Sequence, residues 1–275
     1  MLKVLLSRCC AGVAVLGLLA GCASPSLRID RSLSTPDQAS RVRYLILHYT
    51  VTDTPQSIRL FTARGGAEVS VHYLLTNEAQ PVIYNIVDEN RAAYQAGSDS
   101  GWKSDRSLNL TSIGIEIVNA GWVDGPTGRV WTPFPQQQID TLIPLVKDIM
   151  ARHHIRPENV LGHSDVAPQR KQDPGVLFPW QRLAAEGIVP WPDPAVVAAK
   201  RAQYETTALP DIAWFQQKLA AIGYVVPQDG LASSATTNVL VAFQTRYRPA
   251  NIDGVPDAET AALLDSPMRV RPLTP

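Results

Sequence analysis

Val42-Arg-Tyr-Leu-Ile-Leu-His-Tyr49 and Ser112-Ile-Gly-Ile-Glu-Ile-Val118 are dense in β-branched and large apolar residues, the composition of strands buried on a sheet. Val71–Thr76 (VHYLLT) and Val82–Val87 (VIYNIV) have the same character, so four strands of one sheet are predicted. Helical spacing lies between and beyond them, over Thr54–Arg64 and Gln136–His154. In the second, Ile139, Leu142, Ile143, Val146, Ile149 and Met150 share one face. Pro144 is predicted to kink that helix or break it, because its ring removes a backbone donor. Strands interleaved with helices imply an α/β domain, a mixed central sheet flanked by helices, over residues 41–194.

Outward from this domain the composition changes. Trp191-Pro-Asp-Pro194 closes it, and residues 195–208 read as a connecting helix or linker. Three short helical patterns follow within 209–275: Asp211–Gly223, Ser234–Tyr247 and Asp257–Leu264. Each opens on an Asp or Ser suited to capping, and Asp229-Gly230 and Asp253-Gly254 mark turns between them. A small C-terminal three-helix domain is therefore expected.

The chain has 275 residues, with 25 Lys and Arg against 25 Asp and Glu, and no block of like charge. A basic nucleic-acid face is thereby disfavoured. All three cysteines, Cys9, Cys10 and Cys22, precede the α/β domain, which leaves it no thiol nucleophile, disulfide or thiolate ligand; any metal must sit on His, Asp or Glu. Residues 1–21 carry Lys3 and Arg8, no acid and an apolar run Ala11–Ala20 too short to span a bilayer, which is the pattern of a signal peptide. Leu19-Ala20-Gly21-Cys22 resembles the bacterial lipobox. That resemblance implies acylation of Cys22, and Ala23 after it implies an outer-membrane anchor facing the periplasm. Residues 22–40, rich in Ser, Pro and Asp, suit a tether.

Three features carry chemistry. His48 sits at the end of a predicted strand, rigid yet reachable. Gly162-His163-Ser-Asp-Val-Ala-Pro-Gln-Arg-Lys171-Gln-Asp173-Pro-Gly175 places His, Lys and Asp on one Gly- and Pro-bounded loop. Spacing alone leaves a solvated polar loop open as an alternative. Glu116 lies opposite Ile113, Ile115 and Ile117 on its strand, with Gly114 and Val118. Two readings stand there: an edge strand with Glu116 in solvent, or a cleft carboxylate tuned for proton transfer.

Together, His48-Tyr-Thr50, Ser70-Val-His-Tyr-Leu74, Ala96-Gly97, Ser112-Ile-Gly-Ile-Glu116-Ile-Val-Asn119, Gly162-His163-Ser-Asp-Val-Ala-Pro168 and Arg170-Lys171-Gln-Asp173-Pro-Gly175 resemble the zinc-dependent N-acetylmuramoyl-L-alanine amidases (type 2). The motifs follow the family's order over about residues 40–265, most like its outer-membrane lipoprotein branch with a C-terminal peptidoglycan-binding domain. The resemblance implies Zn2+ on His48, His163 and Asp173, with the fourth position open to water. It makes Glu116 the general base and Lys171 the oxyanion partner. The implied reaction is hydrolysis of the amide between N-acetylmuramic acid, or its anhydro form, and L-alanine of the stem peptide, with peptidoglycan and muropeptides as partners.

The chain also departs from the pattern. Val71 stands where phage-type members carry a catalytic Tyr, so the base role rests on Glu116. Gln95 stands where some relatives have His, and reads as at best a substrate contact. His72 is read as structural, and His153 and His154 as polar residues ending a helix. Trp102, Trp122 and Trp131 suit sugar stacking or packing equally. Ser100-Gly-Trp-Lys103 lacks the companion motifs of a penicillin-binding protein. A wall-tethering lipoprotein and a zinc peptidase acting within the stem peptide are the competing functions. Truncation after Pro194 is expected to affect hydrolysis of small muropeptides less than that of intact sacculi.

Overall fold

The computed structural model describes residues 29–63, 68–126 and 128–271; the signal sequence and Cys22 lie outside these residues. Residues 29–39 form a unit of their own, exposed and without helix or strand, and Ser40 onward forms a second.

Within the second unit, the central sheet has five strands: β1 (Tyr44–Tyr49), β2 (Tyr73–Leu75), β3 (Ile83–Asn85), β4 (Ser112–Ile117) and β5 (Val160–Gly162). Their order is β3-β2-β4-β1-β5, all parallel except β3, which pairs antiparallel with β2. Thus the sheet is mixed, and β4 is interior rather than an edge. β5 escaped the sequence pattern because its three residues, unlike those of β2 and β3, do not lie within a longer β-type run.

Alternation along β1 and β4 divides the core in two. Leu45, Leu47, Ile113, Ile115 and Ile117 face Ile139, Leu142, Ile143, Val146 and Ile149 of helix α2 (Gln136–His153). Pro144 does not break α2, which runs through it uninterrupted. The proline is on the exposed face, so the Asp140 carbonyl it leaves unbonded is on the solvent side, while buried neighbours hold the helix to the sheet. Helix α1 (Thr54–Thr62) is capped by Asp53, which accepts from the Gln56 backbone.

Two short helices, α3 (His163–Val166) and α4 (Trp180–Ala185), complete the α/β portion. Residues 195–208, expected as a connecting helix or linker, are largely helix α5 (Pro194–Thr206), capped by Asp193 and ion-paired through Lys200 to Asp265. The last three helices are α6 (Ile212–Ile222), α7 (Ser234–Tyr247) and α8 (Ala258–Asp265).

These helices share a core with the sheet's second face. Tyr44, Ile46, Trp102, Leu108 and Leu161 cluster with Phe215, Leu219, Tyr224, Phe243 and Tyr247. Each such fully buried side chain contributes roughly 1.5–3 kcal/mol. Two buried glutamines brace the turns between the helices: Gln216 accepts from the Gly230 backbone and Gln244 from the Gly254 backbone, each at 2.8 Å. Gly254 has φ +71°, and a Cβ there would lie 2.7 Å from Thr237, so the turn requires glycine.

Candidate active site and metal centre

The site lies where the parallel strands end. His48 is the penultimate residue of β1 and pairs in register with Glu116, penultimate in β4; His163 follows directly on β5. Carboxyl ends of parallel strands expose side chains on a rigid frame, a common location for ligand sites.

Three donor atoms converge there. His48 Nδ1 and His163 Nδ1 are 2.9 Å apart, and Asp173 Oδ2 lies 3.0 Å from the first and 3.1 Å from the second. All three residues are buried. Tetrahedral zinc with bonds of about 2.0–2.2 Å has donors about 3.3–3.5 Å apart, close to this spacing. A set of two imidazoles and one carboxylate fits a metal of that class, and leaves one position for a reactant.

The outer ring nitrogens explain why Nδ1 faces inward. His48 Nε2 lies 2.6 Å from Gln95 Oε1, and His163 Nε2 lies 3.3 Å from the Ala96 carbonyl. Neither oxygen can donate, so both Nε2 atoms carry hydrogen; a metal between the rings would take the Nδ1 lone pairs, whereas without one His48 Nδ1 shares a proton with Asp173. Burial lowers the pKa of His163 to about 4, which keeps it neutral. Burial acts in the same direction on His48, but hydrogen bonding to Asp173 and the charge of Glu116 outweigh it and raise its pKa. The pKa of Asp173 is lowered well below the usual carboxylate range: burial opposes ionisation, and the two histidines overcome it.

Gln95 is thus a partner of His48 rather than only a cleft contact, and sequence reasoning had missed this. Its amide nitrogen donates to Ser112 Oγ at 2.7 Å, and Ser112 in turn donates to the Leu108 carbonyl. The signal was present in Gly114: a Cβ there would lie 2.6 Å from Gln95 Cγ, so the glycine makes room for the side chain that orients His48. Replacing Gln95 with Ala is expected to weaken zinc binding by roughly 10–100-fold, measured by chelator competition. Unchanged affinity would make Gln95 a packing residue only.

Glu116 sits beside this centre without joining it. It is partly exposed as a residue, yet its Oε2 is sealed from solvent and has no hydrogen-bond partner among the described residues. Burial raises its pKa to about 7; His48 and Lys171 pull it down, and Asp173 adds to the rise. Lys171, partly buried, lines a cleft of about 790 Å³ with Ser70, Tyr94, Gln95 and His163.

His72 is elsewhere engaged. Its Nε2 donates to the Arg91 carbonyl and its Nδ1 accepts from the Gly114 backbone, both at 3.1 Å. His153 contacts Glu89 and Ser40, and His154 closes α2 with φ 56°. Trp102 is buried in the shared core, whereas Trp122 and Trp131 face one another across a two-stranded ribbon.

The N-acetylmuramoyl-L-alanine amidase family model matches residues 38–176, and a peptidoglycan-binding domain model matches residues 209–264. AmiD, an N-acetylmuramoyl-L-alanine amidase of Escherichia coli strain K12, is 41% identical over 266 residues, covering 92% of this chain and 95% of that protein. The chain belongs to the N-acetylmuramoyl-L-alanine amidase family. The E. coli AmiD structure, solved with anhydro-N-acetylmuramic acid-L-Ala-D-γ-Glu-L-Lys, superposes with a TM-score of 0.78 at 40% identity, over 86% of this chain and 93% of the other. AmpDh3 of Pseudomonas aeruginosa, in complex with anhydromuramic pentapeptide, gives 0.79 at 37% identity, over 87% and 96%. This amidase therefore hydrolyses the bond between N-acetylmuramic acid and L-alanine, and its substrates are peptidoglycan and muropeptides. It works in the periplasmic or cell-wall space where they occur. Among the described residues no helix is long and apolar enough to cross a membrane.

Proposed function

We propose that this chain is a zinc-dependent, outer-membrane-anchored amidase in which Glu116 and Lys171 carry the proton and charge transfers. The observation that carries the zinc assignment is the convergence of His48 Nδ1, His163 Nδ1 and Asp173 Oδ2, with the outer nitrogen of each histidine engaged elsewhere. Zinc held there supplies Lewis-acid chemistry, activating water near neutral pH and polarising the amide carbonyl.

The residues do the rest. Glu116, with a pKa near the operating pH and an unpartnered oxygen, accepts a proton from the attacking water and returns it to the leaving amine of L-alanine. Lys171, on the same loop as two donors, offsets the negative charge that develops on the carbonyl oxygen as it becomes tetrahedral. The cleft beside His163 and Lys171 has the size of a small-molecule site and accepts the lactyl-alanyl portion of a muropeptide. Anhydro-muropeptides bound to AmiD and AmpDh3 support the anhydro sugar as an accepted form here. Mass spectrometry of products from a purified muropeptide tests the scissile bond: free saccharide and an intact stem peptide are expected, and a cut inside the peptide would defeat the reading.

The anchor rests on Leu19-Ala20-Gly21-Cys22 and the polar segment after it. Cys22→Ser is expected to release the protein from the outer-membrane fraction or leave it unprocessed. Persistence of that variant in the outer membrane after a high-salt wash would exclude lipid anchoring at Cys22. The C-terminal helices, through their match to peptidoglycan-binding domains, are the proposed wall-binding module.

A further inference from the structure

The loop from His163 to Gly175 carries two donors of the metal centre and Lys171, and it is gripped at two points by a helix of the C-terminal module. Asp165, two residues after His163, is buried, and its Oδ2 accepts from the Gly162 backbone at 2.8 Å. The same oxygen accepts from Arg246 Nη1 of α7 at 2.6 Å, and Oδ1 accepts from Tyr224 Oη at 2.6 Å. Arg246 is itself buried; it also donates to the Val160 carbonyl of β5, and its guanidinium lies 4.0 Å from the Trp180 ring. At the other end of α7, Asn238 donates to Gln169 Oε1, and Gln169 donates to the Ala235 carbonyl, both at 3.0 Å. Inside the loop, the Ser164 backbone donates to the Asp173 carbonyl at 2.9 Å, so a displacement of Asp165 is passed to both donors.

We infer that α7 of the C-terminal module is a working part of the catalytic centre, with Arg246 as the positioning residue that, through Asp165, sets His163 and Asp173 at metal-binding separation. The physical reason is the fixity of a buried, bidentately bridged carboxylate. Asp165 has hydrogen bonds on both oxygens from three directions and cannot rotate without leaving a charge unpaired in the core. The turn bearing His163 is held by the same oxygen that Arg246 holds. Had Arg246 served only to join the modules, the shared apolar core would do that without a charge buried beside the metal donors. The inference rests on the reading of His163 and Asp173 as metal ligands.

The test uses the full-length chain and zinc itself. Wild-type zinc affinity is measured first by chelator competition; if the wild type binds no zinc, the ligand reading fails, before any variant is compared. Arg246→Met and Arg246→Lys are then assayed for zinc affinity and for kcat and KM on a soluble muropeptide. Arg246→Met is expected to weaken zinc binding by roughly 10–100-fold and to lower kcat with little change in KM, as loss of an outer-shell partner does elsewhere. The Lys variant should recover part of both. Because Arg246→Met risks misfolding, Asn238→Ala is the second variant: it breaks the partly exposed grip, and a several-fold loss of kcat with unchanged melting is expected. Wild-type affinity and kcat in a folded Arg246→Met protein would overturn the inference; should that protein not fold, wild-type kcat in Asn238→Ala overturns it instead.

Discussion

Glu116→Gln is expected to keep the fold and the metal while kcat falls on the order of 10²–10⁴-fold, since the amide preserves shape but cannot accept the proton. Two further readings sharpen this result. First, kcat/KM of the wild type should fall at acid pH as Glu116 takes up a proton, because the base works ionised; burial raises its pKa and bound zinc would lower it. Second, the variant should be the more stable protein at alkaline pH. A carboxyl whose pKa rises from 4.5 to about 7 on folding favours the folded state less as pH passes between those values. In metal-free protein the wild type therefore loses on the order of 3 kcal/mol relative to acid conditions, complete above about pH 7, and the Gln variant does not. Thermal melts of both proteins at pH 4 and pH 8 measure the difference. Near-normal turnover of Glu116→Gln would remove this residue from the mechanism even with the amidase activity intact.

Loss of the histidine donors has the larger expected effect. A His48→Ala, His163→Ala double variant retains one of the three converging atoms, and one carboxylate does not hold zinc against buffer and water. Metal analysis should find about one zinc per chain in the wild type and none in the variant, with turnover reduced on the order of 10⁴-fold or more. In the wild type, affinity should also fall as pH drops through the imidazole range, because protons compete for Nδ1. Full zinc occupancy in the double variant would exclude this centre.

Much of the α/β portion was legible because β1, β4 and α2 are long enough to show a period, and β2 and β3 lie within the longer β-type runs Val71–Thr76 and Val82–Val87. Glu116 shows the limit. Its alternation with Ile115 and Ile117 put it opposite the apolar face, but edge or cleft depended on strand order, and β4 lies between β2 and β1. His48 stood out at a strand end, and His163 and Asp173 on a loop that spacing alone left open as solvated; the family resemblance joined the three, whereas Gln95 had no such signal. A neutral side chain on a loop carries no pattern until Gly114 is seen to leave it room. Asp165 and Arg246 were beyond any local reading, since their pairing is purely tertiary. The same holds for truncation after Pro194. That cut was expected to affect small muropeptides less than intact sacculi, but it would strip Phe215, Phe243 and Tyr247 from the sheet's second face and Arg246 from Asp165. Loss of activity on both small and large substrates follows.

That shared core also bears on when the enzyme comes to life. β1 pairs with β4 on one side and β5 on the other, and its second face packs against Trp102 and Leu108 and against helices α6 to α8, the last of which ends at Asp265. A chain emerging from its N-terminus has every chemical residue through Asp173 in hand well before it has the helix that steadies them. Contacts so distant in sequence form late, after the loops between them are closed. If Arg246 positions the centre as inferred, a chain cut short within α7 is expected to yield no active fragment, and assay of such a fragment on a soluble muropeptide checks this.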